Sequence, residues 1–522
     1  MFFGEGGVGG MGAQYVLSID QGTTGSTALV VAFEGGVTRI VGRETVEFPQ
    51  MFPRSGWVEH DLDAIWGSVR KAVTRALEKA SVSEPGFSAR RLLSIGITNQ
   101  RETLCVFDRK TSAALRRAIV WQCRRSTQIC ERVKAEGHEA MIRERTGLVV
   151  DPYFSGSKLA WIFEHEPDLK SLIESGTAAV GTIDTFLLHR LTGAQVYATE
   201  SSNASRTMLF DCRRGAFDGE LARALGLPPT LALPEVKDSS GVFGKTSGLD
   251  FLPDGIPVTG MLGDQQAALA GQACFSKGEA KCTYGTGAFL LLNTGRQMLS
   301  SRAGMLSTVA WRLNGEMTYA LEGASFIAGA AVQFLRDQMK FIAASSEIEA
   351  LASKASAAPQ LYFVPALAGL GAPWWDAHAR GAFLGMTRGT TREQLCRAAL
   401  EGIAFQVNDL LTSMASDLGG TLSVLRVDGG AAANDLLMRA QADLSRVPVD
   451  RPANLETTAL GAAMMAALGA GVFSGVDEMN HARVSEKIFE PRGDDVWTRE
   501  REVWIKRWTR AIESVRLFGA GV

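Results

Sequence analysis

Asp264 lies in Gly260–Gln272, GMLGDQQAALAGQ, where an apolar strand-like run ends, a glycine follows and a helix of good formers begins. Phosphoryl transfer to a hydroxyl requires a carboxylate that takes up the hydroxyl proton as attack proceeds. Asp264 is the candidate for that role. The same placement also suits a plain helix N-cap, but Gln265-Gln266 beside it and the Gly-Thr turn soon after point to a site. A second pair, Arg101-Glu102, lies between the apolar runs of SIGITNQRETLCV. A guanidinium next to a carboxylate offers donors and an acceptor, which suits a small molecule with vicinal hydroxyls. In a regular strand such neighbours face opposite ways, so both reach one ligand only if the backbone turns irregular there. The plain alternative is a surface ion pair, which is worth little. Trp121, Tyr153 and Phe289 offer apolar walls for a carbon chain plus one hydroxyl contact, although each alone also fits a core position.

These residues need elements to hold them. Val16–Phe33, VLSIDQGTTGSTALVVAF, reads as strand, turn and strand. Gly22 and Gly25 allow tight, unusual backbone angles and leave N–H groups uncovered, and Thr23, Thr24 and Ser26 add hydroxyls, so the turn reads as a phosphate cradle. Asp20 would repel a phosphate unless a divalent cation lay between them, and it is read as a Mg²⁺ anchor acting through water. Cys282–Asn293, CTYGTGAFLLLN, repeats the strand, turn and strand. Leu425–Asn434, LRVDGGAAAN, adds a strand, Gly429-Gly430 and a helix start. This order resembles the duplicated sugar-kinase, actin and Hsp70 architecture. The resemblance implies an α/β protein of two ribonuclease H-like domains with a nucleotide cleft between them.

Composition narrows the field. The chain has 522 residues and a formal net charge of −2, so there is no electrostatic case for nucleic acid or an anionic membrane. No apolar run reaches the roughly 18 residues that span a bilayer; Leu460–Phe473 reads as a tightly packed core helix. Seven cysteines without CxxC spacing fit a reducing cytoplasm better than zinc or a disulfide framework. The Gly-rich start reads as a flexible extension over residues 1–13, in which Met11 could be the true start. Its GxGxxG match at Gly4–Gly9 follows no strand, and Gly244-Lys245-Thr246 lacks the first glycine of a phosphate loop, with Ser239 in that position.

Asp61 is expected to cap a helix running to about Ala80, with Leu62, Ile65, Trp66, Val69, Val73 and Leu77 on its apolar face. Helices are also expected over Gln265–Ala273, Phe326–Met339, Arg392–Leu418, Ala432–Ser445, Thr457–Gly469 and Val496–Leu517. In the last of these, Trp497, Val503, Trp504 and Trp508 supply the apolar positions. NASRTMLFDCRR, residues 203–214, reads as loop and strand on the surface. The domain border is placed near Cys274–Lys281, giving an N-terminal domain over 14–273 and a C-terminal domain over 274–522.

Taken in order, DQGTTGS, NQRET, VWQCRR, TGLVVDPYFSGSK, GDQQAAL, TYGTGAFLLLNTG, YALEG, GLGAPWWD, ARGAFLGMTRG and LRVDGGAAAN resemble the FGGY carbohydrate kinases, and within them the glycerol-phosphorylating branch. The resemblance covers roughly residues 14 to 475. It implies the reaction ATP + glycerol → sn-glycerol 3-phosphate + ADP, in glycerol catabolism, by a cytoplasmic homodimer or tetramer. Arg101, Glu102, Tyr153, Asp264 and Gln265 would hold glycerol hydroxyls, Trp121 and Phe289 would flank its carbons, and Asp264 would be the base. Thr23, Thr24, Gly25 and Thr286 would meet the ATP phosphates, with Mg²⁺ near Asp20. Gly329, Gln333, Gly430 and Asn434 would line the adenosine site. The chain also departs from the pattern. Thr27 stands where the family commonly has a basic residue. Val242–Pro257 keeps Lys245 but lacks the Gly-rich loop that binds fructose 1,6-bisphosphate. Residues 228–257 hold no histidine for phosphorylation. A kinase for another small polyol or ketose, and a non-catalytic ATP-binding scaffold, are the competing readings.

Overall fold

Strands buried on both faces need near-continuous apolar runs, and the chain supplies them at Val16–Ile19, interrupted only by Ser18, and at Ala28–Phe33. The computed structural model describes residues 12–355 and 360–520. Most of the expected N-terminal extension, including Gly4–Gly9 and Met11, lies outside the described residues. The chain divides into two units. The first runs to Phe275 and takes in Thr308–Met317 and Glu456–Arg483; the second holds Ser276–Ser307, Thr318–Leu455 and Val484 onward.

The first unit is built on β1 (Gln14–Gln21), β2 (Gly25–Glu34), β3 (Val37–Glu47), β4 (Leu92–Asn99), β5 (Ser240–Lys245) and β6 (Pro257–Gly263). Their order across the sheet is β5-β6-β4-β1-β2-β3. β1 pairs antiparallel with β2 and parallel with β4, and β6 is parallel to β4. Gly244-Lys245 thus lies on an edge strand, paired with Val258 and Pro257. Helix α1 (Leu62–Ser83) covers one face. The Asp61 carboxylate caps it by accepting from the N–H groups of Asp63 and Ala64, and Leu62, Ile65, Val69, Val73 and Leu77 are buried. Helix α2 (Ser155–His165), the one-turn α3 (Ser201–Ala204) and α4 (Asp264–Gly271) carry residues of the site.

The second unit repeats the plan with β7 (Glu279–Tyr284), β8 (Ala288–Gly295), β9 (Glu316–Ser325), β10 (Val424–Asp428), β11 (Val449–Pro452) and β12 (Ser485–Phe489). Within this seven-stranded sheet the run β9-β8-β7-β10-β11-β12 repeats, in its first four strands, the β3-β2-β1-β4 order of the six-stranded first sheet, with β7 antiparallel to β8 and parallel to β10. Helices α5 (Gly329–Asp337), α6 (Arg392–Leu418) and α7 (Asp435–Ser445) belong to it. A capping box of Thr391 and Gln394 opens α6, and Gly419 at φ 67° closes it.

Helix α8 (Thr457–Gly469), which chain order groups with the second half, belongs instead to the first unit. It lies on the first sheet, where the Ser18 hydroxyl donates to Ala459 O at 2.6 Å and the Thr259 hydroxyl to Ala466 O at 2.7 Å. A Cβ on Gly461 would sit 1.8 Å from Ala267 O, and one on Gly271 would sit 1.9 Å from Thr457 O. The two glycines let α8 and α4 cross with their backbones in contact. Helix α9 (Asp495–Gly519) closes the second unit with Trp497 and Trp508 buried, whereas Val503, expected inside, is 45 % exposed. None of the described helices is long and apolar enough to cross a membrane. All seven cysteines are buried.

Candidate active site

Asp264 is the first residue of α4, and Gly263, not Asp264, occupies the cap position. Its Oδ1 accepts the Gln265 N–H at 2.7 Å and lies 3.1 Å from Arg101 Nε. Arg101 Nε is 3.7 Å from Glu102 Oε1, and Arg206 Nε donates to that oxygen at 2.6 Å. Charges therefore alternate through Asp264, Arg101, Glu102 and Arg206. The Asp264 side chain is 32 % exposed, against 2 % or less for the other three. The chain of charges thus ends in one carboxylate that a ligand can reach.

The backbone irregularity expected at Arg101-Glu102 is present. β4 ends at Asn99, the Thr103 N–H donates to Arg101 O at 2.7 Å, and Glu102 takes φ 59°. A non-glycine residue in this region is strained and clusters with function. Arg206 carries no family expectation in the sequence reading. Residues 203–214 were expected on the surface, yet α3 and the residues through Arg206 are buried. Partners both local and distant in sequence make that burial tolerable. Glu200 accepts from the N–H groups of Ser202 and Asn203, the Asn99 amide donates to Asn203 Oδ1 at 3.0 Å, and the Gly263 N–H donates to Ser202 Oγ at 2.9 Å. The last bond ties α3 to the residue before Asp264. A lone arginine in an otherwise uncharged run of small polar residues, NASRT, was the available signal.

Trp121 and Tyr153 meet edge to face, with ring centroids 5.6 Å apart and an interplanar angle of 88°. The Arg206 guanidinium lies 5.8 Å from the Tyr153 ring centroid. Trp121 Nε1 donates to Thr23 Oγ1 at 3.0 Å, so this corner is joined to the first hairpin turn. Gln265 is half-buried beside Asp264. Phe289 lies in the second unit, half-buried on β8 opposite Thr283 and Ala324.

In that turn the Gly22 N–H donates to Gly25 O at 2.9 Å. Neither glycine takes a positive φ, contrary to expectation. Their role is to lack a side chain, since a Cβ would lie 3.2 Å from Gly25 O at position 22 and 3.1 Å from Val46 O at position 25. Thr23 is half-buried and Thr24 exposed. Beneath them, the Gln100 amide donates to Gln21 Oε1 at 3.0 Å and to Gly22 O at 3.2 Å. His60, adjoining Gln100, is kept neutral by burial, which pushes its pKa down to about 4. Thr27 Oγ1 is paired with Thr45 Oγ1 at 2.9 Å. Arg43, two residues along β3 from Thr45, is held by Glu456 at 2.7 Å.

Burial, with the charges of Asp264 and Glu456 adding to it, pushes the Asp20 carboxyl up to about 8. A carboxylate at the end of β1 is a ligand type that a hydrated divalent cation takes. Among the described residues no three His, Cys, Asp or Glu side chains are grouped to hold a metal.

In the second unit, a cavity of about 500 Å³ is lined by Tyr284, Gly285, Thr286, Gly329, Gln333, Gly430 and Asn434, among others. It brings together all five second-unit residues expected around ATP. The Gly329 and Ala330 N–H groups donate to Gly285 O and Thr286 O, docking the start of α5 on the second hairpin turn. Gly429 takes φ 86°, and a Cβ there would lie 2.6 Å from Tyr284 O. Asn434 caps α7 through the Leu437 N–H. Ser345, Ser346 and Glu349 also line this cavity and were not foreseen. A hollow of about 570 Å³ in the first unit, between Arg90 and Pro257, contains none of the expected site residues.

The chain was compared with known proteins. The FGGY carbohydrate kinase N-terminal domain matches residues 15–271, and the C-terminal domain matches residues 280–470. The chain is 50 % identical over 503 residues to a glycerol kinase of Myxococcus xanthus, covering 96 % of this chain and 99 % of that one. It is 48 % identical over 504 residues to a glycerol kinase of Bdellovibrio bacteriovorus, with 96 % and 99 % covered. The crystal structure of Plasmodium falciparum glycerol kinase with ADP superposes with a TM-score of 0.89 at 35 % identity, covering 96 % of this chain and 98 % of that one. A gluconate kinase from Lactobacillus acidophilus, at 21 % identity, a TM-score of 0.83 and 97 % and 99 % coverage, shares the fold. With both domain models matched in order and relatives aligned over nearly their whole length, the chain belongs to the FGGY family of carbohydrate kinases.

Proposed function

We propose that the chain phosphorylates glycerol at a terminal hydroxyl with ATP, using Asp264 as general base. The observation that carries this reading is the buried series Arg206–Glu102–Arg101 ending in the accessible carboxylate of Asp264. Arg101 and Glu102 offer a donor and an acceptor to neighbouring hydroxyls. Trp121 and Tyr153 bound the carbon chain, and Gln265 adds an amide beside the base. As the hydroxyl oxygen bonds to the γ-phosphorus, its proton passes to Asp264, the bond from the γ-phosphorus to the bridging oxygen breaks, and ADP leaves. Arg101 orients the Asp264 carboxylate through the 3.1 Å approach of its Nε. Thr23, Thr24 and Gly25 present N–H and hydroxyl groups to the phosphates, and Thr286 lines the cavity of the second unit. The cavity with Gly329, Gln333, Gly430 and Asn434 accepts adenosine. Asp20 would hold Mg²⁺ through water, and the ion would neutralise charge on the phosphates. Seven buried cysteines without CxxC spacing suit a reducing cytoplasm.

The test is ADP release by the purified protein with glycerol, dihydroxyacetone, erythritol, xylulose, ribulose or no acceptor. Turnover that depends on glycerol is expected. Turnover only with a larger sugar, or hydrolysis without any acceptor, would overturn the reading.

A further inference from the structure

Lys158 closes the TGLVVDPYFSGSK segment, and its side chain is fully buried. It stands in the first turn of α2 and turns back over the helix start. Its Nζ donates to Pro152 O at 2.6 Å, Tyr153 O at 2.5 Å and Phe154 O at 3.4 Å. An ammonium has three N–H donors, and all three end on successive carbonyls around one residue, Tyr153. The Tyr153 N–H is taken as well, by Asp151 Oδ1 at 2.9 Å. Both backbone polar groups of Tyr153 are therefore fixed, and its ring is set against Trp121.

This arrangement is costly. A buried ammonium loses its hydration, and a cation at a helix N-terminus opposes the helix dipole. An apolar side chain would fill the same space without either penalty. What it could not do is hold three peptide carbonyls in one orientation. We propose that Lys158 is a positioning residue for the acceptor: it fixes the Tyr153 peptide so that the Trp121–Tyr153 corner closes on a small polyol. The proposal rests on the acceptor-site reading above.

Titration gives a readout that a purely structural lysine would not. Burial pushes the ammonium down to about 8, while the carboxylates of Glu102, from the turn after β4, and Asp151 act to keep it charged, with the Cys123 and Cys130 thiols also close by. The Cys130 thiol, pushed up to about 11 by burial, stays neutral over the same range. Because the folded value lies below the ordinary 10.5, the folded state gains relative to the unfolded one as pH rises from about 8 to 10.5. Weaker glycerol binding in that window is therefore not unfolding, and glycerol itself has no group that titrates there.

The experiment measures glycerol and ATP kinetics of the full chain and of Lys158→Met from about pH 7 to pH 9.5, with thermal melts at each pH. The variant is expected to raise KM for glycerol about tenfold and leave KM for ATP within about twofold. The wild type is expected to lose kcat/KM for glycerol above about pH 8, a limb absent from the variant. A folded variant with unchanged KM for glycerol overturns the proposal, as does the same alkaline limb in both proteins. If the variant does not fold, the wild type decides: a rise in KM for glycerol above about pH 8 with no fall in Tm there supports the proposal, and a flat profile overturns it. Absence of glycerol turnover in the wild type at every pH overturns the acceptor-site reading together with the proposal. Normal turnover with an unmoved KM in the variant overturns the proposal alone.

Discussion

Removing the Asp264 carboxylate while keeping its shape isolates the proton-accepting role. Asp264→Asn retains an oxygen for the Gln265 N–H but loses the charge that faces Arg101 at 3.1 Å. Arg101 keeps Glu102 at 3.7 Å and Gln266 Oε1 at 3.3 Å as partners, so the buried guanidinium is not stranded and the fold should persist. General-base catalysis is worth about 10²–10⁴-fold, so kcat should fall by about three orders of magnitude while glycerol still binds. Single-turnover rates, together with glycerol binding followed by tryptophan fluorescence, separate the two effects. Near-normal turnover would remove Asp264 from the mechanism. The residues on which this depends differ in how plainly the sequence displays them. Arg101-Glu102 is conspicuous as an adjacent charged pair between apolar runs. Arg206, which completes the series, stands among small polar residues that read as a surface loop. Its burial depends on Glu102, which lies about a hundred residues earlier in the chain.

At the scale of elements, the crossing of α4 and α8 controls where Asp264 sits. Alanine for glycine inside a helix ordinarily stabilises by up to about 1 kcal/mol. At Gly461 the added Cβ would lie 1.8 Å from Ala267 O, a backbone atom of α4, so one helix must shift. Overpacking of this kind costs about 1–3 kcal/mol. Gly461→Ala is expected to lower Tm despite its better propensity, and to lower kcat because Asp264 begins the displaced helix. Gly67→Ala on α1, where nothing lies within 4 Å of the new Cβ, is the control and should hold or raise Tm. A Gly461→Ala protein as stable and active as the control would show that the crossing is soft. The elements themselves were largely legible. The hairpins have alternate apolar runs and glycine turns, α1 has Asp61, and α6 begins and ends within its Thr391 and Gly419 signals. The attachment of α8 was not legible, because local pattern fixes a helix and its apolar surface but not which sheet receives it. The glycines at 271 and 461 would have indicated the close crossing only to a reader who already paired those two helices.

For the whole molecule, the repeated sheet order means that two units each carry their own buried polar groups. Each holds a carboxyl that titrates near neutrality. Burial pushes Glu200 up to about 7 in the first unit. In the second, burial pushes Asp409 up to about 7 from an ordinary 3.8. Its Oδ2 accepts both the Trp374 indole at 3.0 Å and the Trp508 indole at 2.8 Å, and thereby links α6 to α9. For a carboxyl raised in this way, the folded state holds a proton that the unfolded state has already released between about pH 4 and pH 7. Stability is then fully present below the unfolded value and falls as pH rises through the folded one. Tm should therefore decline from about pH 5 to pH 8, unlike a protein whose carboxylates are all salt-bridged. Asp409→Asn removes the ionisation while leaving an oxygen for the indoles. It should flatten part of this slope, corresponding to about 1–3 kcal/mol at the alkaline end, and leave Tm at pH 5 nearly unchanged. Thermal melts of the wild type and variant across that range decide the matter. An identical slope in both proteins would mean that Asp409 stays ionised in the fold, with the two indole donors outweighing its burial.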